Sequence, residues 1–245
     1  MRRFVQALSS GSGLAEAVPP GVREALAAFP DRYNIAIRCP AAVVFIQEQR
    51  WKVASMSWGL VPSWEKEANT RYSTQTARLE RAARSRLYRS SWAQRRCVLP
   101  INGYYKWDRD SSPRQPWFIQ AADGSVLFAA ALWSLWGEAE TGLLSFSVLT
   151  HENHGIPAPL VPDGPRFVPP ALLAQWIQAE PSRAARWLLR QPQPELEAYP
   201  VSRRVANRKF DDYSLLEPLA ATEAFESAFE PGGDEDLEEE LDAGE

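Results

Sequence analysis

Residues 95–110, RRCVLPINGYYKWDRD, read as a strand, a turn and the start of a second strand. Arg96–Leu99 is a short apolar run, and Pro100-Ile-Asn-Gly103 carries turn chemistry. Tyr104, Tyr105 and Trp107 are aromatic, yet Lys106 stands among them. A charge inside an aromatic strand is either solvated on an outer face or lines a site. The fold decides which.

Outward from this stretch the sequence reads as α+β. AAVVFIQ (41–47) and WKVASMSWG (51–59) are expected strands. Further strands are expected near 95–99, 103–107, 116–120, 126–133 and 143–149. Helices are expected over 19–29, 76–92, 169–178 and 181–190, three of them opening on proline. Many strands at short spacing with few helices imply a curled or barrel-like antiparallel sheet core with flanking helices.

The chain of 245 residues is 45% hydrophobic and holds ten tryptophans, enough for a substantial core. It has two cysteines, Cys39 and Cys97, in separate segments. That count excludes a disulfide framework or a CxxC metal motif, so a reducing cytoplasmic setting is expected. No apolar run approaches the roughly 18 residues of a membrane span. MRRFVQALSSGSG lacks the apolar region of a signal peptide, and none is expected.

The net charge of −4 conceals an asymmetry. Residues 217–245 hold twelve Asp or Glu and no Lys or Arg, leaving 19 acids against 27 bases in 1–216. One domain over 1–216 and a disordered acidic tail over 217–245 are therefore expected. The tail is a candidate docking segment for a protein partner through Phe225 and Phe229, or a tethered polyanion that competes for the basic body. Between Arg71 and Arg96 lie eight arginines and a single acid, Glu80, with Tyr72, Tyr88 and Trp92 interleaved. Such a cluster is either a solvated helix face or a footprint for nucleic acid, through phosphate contacts and base stacking.

SWGLVPSW (57–64) places Trp64 in a loop after Pro62 and Ser63, an odd position for core packing and a fitting one for stacking on an unpaired base. Trp58, Gly59, Pro62, Gly103 and Trp107 read as residues the fold requires. RYNIA (32–36), TARLE (76–80), QPWFI (115–119), AAALW (129–133) and VSRRVANRK (201–209) follow in order around the opening stretch. Together, over roughly residues 1–213, these motifs resemble the SRAP family, the SOS response-associated peptidases or abasic-site-processing proteins.

The resemblance implies binding of single-stranded DNA at abasic sites, without a cofactor. It also implies a chemistry: an N-terminal cysteine forms an imine with the ring-opened sugar and closes it to a thiazolidine, assisted by Asn, Arg, Glu and His. This chain departs from that set. Arg2 stands where the family has cysteine, Thr76 where it has asparagine, Lys106 where it has glutamate, and Val161 where it has histidine. Arg78 is retained. His151 and His154, in HENH, have no acidic or cysteine partners at metal-ligand spacing and read as loop histidines. Loss of thiol, carboxylate and imidazole together removes the general acid–base groups that such chemistry uses. The expectation is a catalytically degenerate homologue that binds single-stranded or abasic DNA through Arg3, Trp64, Arg78, Lys106, Arg203 and Asn207. Two alternatives stand beside it: a scaffold without DNA contact, and residual imine chemistry at Lys106 or the Met1 amine.

Overall fold

In this computed structural model the described residues are 1–138 and 141–219. Twelve strands run in chain order: β1 Arg3–Gln6, β2 Arg32–Ile35, β3 Pro40–Gln47, β4 Arg50–Trp58, β5 Thr76–Arg78, β6 Arg96–Ile101, β7 Gly103–Trp107, β8 Pro116–Ala121, β9 Leu127–Trp136, β10 Leu143–Glu152, β11 Asp163–Pro165 and β12 Leu196–Pro200. The helices are α1 Pro20–Ala27, α2 Leu79–Ala82, α3 Arg89–Gln94, α4 Leu173–Gln178 and α5 Pro181–Leu189.

Strands β4, β3, β6, β9 and β10 pair in turn, and β10 pairs back to β4, so five strands close a barrel. The β4–β10 pairing is parallel, and the other four are antiparallel. β11 and β5 attach to β10. A second, antiparallel sheet has the order β12-β8-β7-β1-β2. The α+β, barrel-like architecture matches the expectation.

Side-chain alternation explains the layers. On β3, Ala42 and Val44 join one apolar cluster with Val98, Ala130, Leu132 and the helix residues Val22, Leu26, Trp92, Trp176 and Leu188. Val43 joins a second cluster with Met56, Leu99, Phe146 and the second sheet's Phe4, Tyr104 and Ile119. The far face of that sheet carries Val5, Tyr105 and Phe118, covered by Val201, Val205 and Leu215. Tyr104 and Tyr105, adjacent in sequence, are thus both fully buried on opposite faces.

Two polar side chains lock the sheets together. The Gln6 amide donates to the carbonyls of Ala42 and Pro100 and accepts from the Ala42 N–H, tying β1 to β3 and β6. Asn102 exchanges two hydrogen bonds with the main chain of Ala7. The turn read at 100–103 is therefore a switch point between sheets, pinned by Asn102. At Gly103 an added Cβ would lie 2.4 Å from the Ile119 carbonyl oxygen and 2.4 Å from Phe118 Cζ, so only glycine fits.

One expected element is corrected. Residues 76–92 do not form a helix: Thr76–Arg78 is β5, paired in parallel with β10, and only Leu79–Ala82 and Arg89–Gln94 are helical there. Pairing with a buried strand overrides helix propensity for three residues. The arginine cluster is also divided. Arg96 is buried, donating to the carbonyls of Trp176 and Ala179 at the end of α4. The body remains tied as far as Leu219, whose N–H donates to Pro200. The expected docking and autoinhibitory roles of the acidic tail fall beyond the described residues. No helix among those residues is long and apolar enough to cross a membrane.

Candidate functional site

The alternation of β7 answers what a lysine does among aromatics. Tyr104 and Tyr105 pair with Phe4 and Arg3 of β1. Continuing this register brings residue 2 opposite Lys106. Lys106 therefore shares the Tyr104 face, at the strand end where the second sheet meets β11. Its half-buried ammonium donates to the main-chain carbonyl of Asp163. The Asp163 carboxylate accepts from Arg78 Nη1 at 2.8 Å. The pairing order explains the meeting: β10 lies between β5 and β11, with Arg78 beside Thr150 and Asp163 beside Glu152.

Lys106 opens into a concave space of about 590 Å³ lined by Met1, Arg2, Tyr105, Lys106, Trp107, Arg109, Arg114 and Val161. Three of the four positions where the resemblance expects another residue, Arg2, Lys106 and Val161, meet in one pocket. The fourth, Thr76, lies on β5 two residues before Arg78 and on the same face; its carbonyl accepts from the Tyr88 hydroxyl. Among the described residues, those lining the pocket carry no thiol, carboxylate or imidazole.

The electrostatics follow from burial and from the surplus of cations. Burial pushes Lys106 down to about 8; Arg109 and Arg78 act in the same direction, and Asp163 opposes them. Burial, and then the charge of Lys106, pushes the Met1 amine down to about 5. Both amines lie in a region where positive charge is costly.

The remaining expected contacts lie elsewhere. Arg3 is buried, and its Nη2 donates to the Ala206 carbonyl at 2.9 Å. Alternation sets it on the Tyr105 face, against residues 201–216, and not in the pocket. The DNA contact expected of Arg3 therefore has no part in this pocket. Asn207 closes a turn in the same segment, its Oδ1 accepting from the Lys209 N–H, and Arg203 begins the 3₁₀ turn Arg203–Ala206. Trp64 is 43% exposed in a separate concavity with Arg38, Lys66, Arg71, Tyr72 and Arg86, which shares no lining residue with the first. The Arg86 guanidinium lies 4.8 Å from the centre of its ring. His151 bonds to Glu80, and no group of three or more His, Cys, Asp or Glu among the described residues is placed to hold a metal.

Three site residues escaped the sequence reading: Asp163, Arg109 and Arg114. Asp163 is the one acid between Glu152 and Glu180, two residues beyond Val161. Arg109 and Arg114 lie in the connection between β7 and β8. A strand whose penultimate residue is a lysine facing a site makes its hairpin arginines part of the rim.

The known proteins similar to this chain agree with its fold. It is 26% identical to the abasic site processing protein YedK of Escherichia coli K12 over 194 residues, 77% of this chain and 85% of that protein. It is 23% identical to the abasic site processing protein YoaM of Bacillus subtilis over 190 residues, 76% of this chain and 84% of that one. A crystal structure of a Bacteroides thetaiotaomicron protein superposes with a TM-score of 0.71 at 16% identity, covering 89% of this chain and 99% of that one. A phage-related protein from Bordetella bronchiseptica gives 0.65 at 22%, with 83% and 95% covered. The model of the SOS response-associated peptidase family, SRAP, matches residues 3–208, and this chain belongs to that family.

Proposed function

We propose that this protein binds single-stranded DNA, at or near abasic sites, through the cationic pocket around Lys106, without the thiazolidine chemistry expected of its family. One observation carries this reading. The positions where the resemblance expects cysteine, glutamate and histidine converge on a single pocket and present Arg2, Lys106 and Val161. Cations there suit phosphate oxygens, and valine has no proton to give or take. The relatives named as abasic site processing proteins support the substrate class. The test is incubation of the full chain with single-stranded DNA holding one abasic site, read by native and denaturing gels in parallel. The reading expects a shifted native band and no adduct that survives denaturation. A stable adduct formed without reductant would overturn it.

A second reading is favoured by the depressed ammonium of Lys106. A neutral amine adds its lone pair to the aldehyde carbon of an opened abasic sugar. The carbinolamine then loses water to give an imine. Borohydride reduces that imine to a permanent amine link. Trapping with wild type, lost in Lys106→Ala, supports this chemistry at Lys106. Trapping that survives assigns it to Met1, which also lines the pocket. No trapping while DNA is bound leaves binding alone.

A further inference from the structure

Resting on the DNA-binding reading, we propose that the pocket beneath the β7–β8 hairpin receives a 5′-terminal phosphomonoester of a DNA strand, held by Lys106, Arg109 and Arg114.

The connection between β7 and β8 spans 108–115, and both of its arginines line the pocket. Both are exposed, and neither has a hydrogen-bond or ion-pair partner among the described residues. The hairpin's own Asp108 accepts from the Asp110 N–H and so serves the turn. From the floor, Lys106 donates to a carbonyl oxygen, which leaves its charge unneutralised. The carboxylate of Asp163 is already engaged by Arg78. Three cationic side chains therefore converge, and no anion stands among the described residues that line the pocket.

The charge of the ligand follows from this. A phosphodiester brings one negative charge and two unesterified oxygens. A terminal phosphomonoester brings close to two charges near neutral pH and three strong acceptor oxygens. Three donors and a threefold positive surplus match the monoester. The depressed pKa of Lys106 is consistent with a site that awaits an anion, because a bound dianion restores its charge.

The chemistry of an abasic sugar supplies such an end. When water or hydroxide takes a proton from C2′, the C–H electron pair forms a C2′=C3′ double bond, the C3′–O bond breaks and its electron pair leaves with the phosphate. The downstream strand then carries a 5′-phosphomonoester.

The experiment uses the full chain and one single-stranded sequence with a 5′-phosphate, a 3′-phosphate or hydroxyls at both ends, read by fluorescence anisotropy at fixed low salt. The 5′-phosphate form is expected to bind about tenfold tighter than the hydroxyl form, the scale of one charge-assisted hydrogen bond. Inorganic phosphate in excess and the double variant Arg109→Ser, Arg114→Ser each should abolish the preference. Equal affinity for all three ends overturns the inference and leaves the DNA-binding reading intact. A preference for the 3′-phosphate, or one that survives the double variant, also overturns it. Absence of binding to any of the three removes the DNA-binding reading itself.

Discussion

Lys106 and Asp163 meet through the main-chain carbonyl of Asp163, while the carboxylate of the same residue is taken by Arg78. One short strand, β11, thus holds two cations by two different groups. Asp163→Asn should keep the carbonyl acceptor and release Arg78. The Arg78–Asp163 pair is partly exposed, so its loss should change stability by less than about 1 kcal/mol. Affinity for single-stranded DNA at low salt should rise, because an internal anion is gone. Urea unfolding and anisotropy read the two effects, and a fall in affinity at unchanged stability would oppose the account.

Lys106 also makes stability depend on pH. Its pKa is about 8 in the fold against an ordinary 10.5. Between those values the unfolded chain holds a proton that the folded chain has released. Stability contributed by this residue therefore rises with pH from about 8 to about 10.5. Lys106→Met should flatten that part of the profile and stabilise the protein below pH 8, where a buried charge is removed. Urea midpoints at several pH values across the window check this. Identical slopes in both proteins would argue against a buried ammonium.

Gly103→Ala should destabilise the fold by about 1–3 kcal/mol, the usual range for overpacking. Its methyl would collide with Phe118 and the Ile119 carbonyl, where β7 enters the second sheet. The same strand carries Lys106, so loss of DNA affinity should accompany the loss of stability. Gly21→Ala is the control: nothing lies within 4 Å of its added Cβ, and it should be well tolerated.

Much of this architecture is legible in the sequence because alternation and turn residues mark it. Gly103–Trp107 forms a strand over the expected residues, and β3 and β4 lie within a residue of expectation. Strands β1, β2 and β11 hold only three or four residues each, too few to show a period. β5 was hidden inside a run rich in Ala, Leu and Arg, whose local preference is helical. Lys106 stands out because it interrupts an aromatic run, and the family resemblance gives it a site position. Asp163 could not, because its role depends on a main-chain carbonyl that any residue would supply. The arginine cluster could not be divided for a related reason: charge in sequence does not reveal which guanidinium finds buried carbonyls.

Arg96 separates structural from binding arginines. Arg96→Met should cost about 1.5–3 kcal/mol, the scale of hydrogen bonds to a charged group, since it leaves the Trp176 and Ala179 carbonyls without their donor. DNA affinity of the folded variant should be unchanged. Arg109→Ser should do the reverse, weakening DNA binding with stability altered by less than about 0.5 kcal/mol. If both variants weaken binding without loss of stability, the division between the two groups is wrong.

On the proposed reading, phosphate contacts in the Lys106 pocket hold single-stranded DNA. The most direct measurement is the affinity of the full chain for a single-stranded oligonucleotide, by anisotropy, from about 50 to 200 mM salt. Wild type should show a steep linear fall of log affinity with log salt. Lys106→Ala and Arg109→Ser should each reduce the slope by roughly one phosphate contact, about 0.7 for single strands. Absence of binding at the lowest salt, or slopes untouched by both substitutions, would contradict the account.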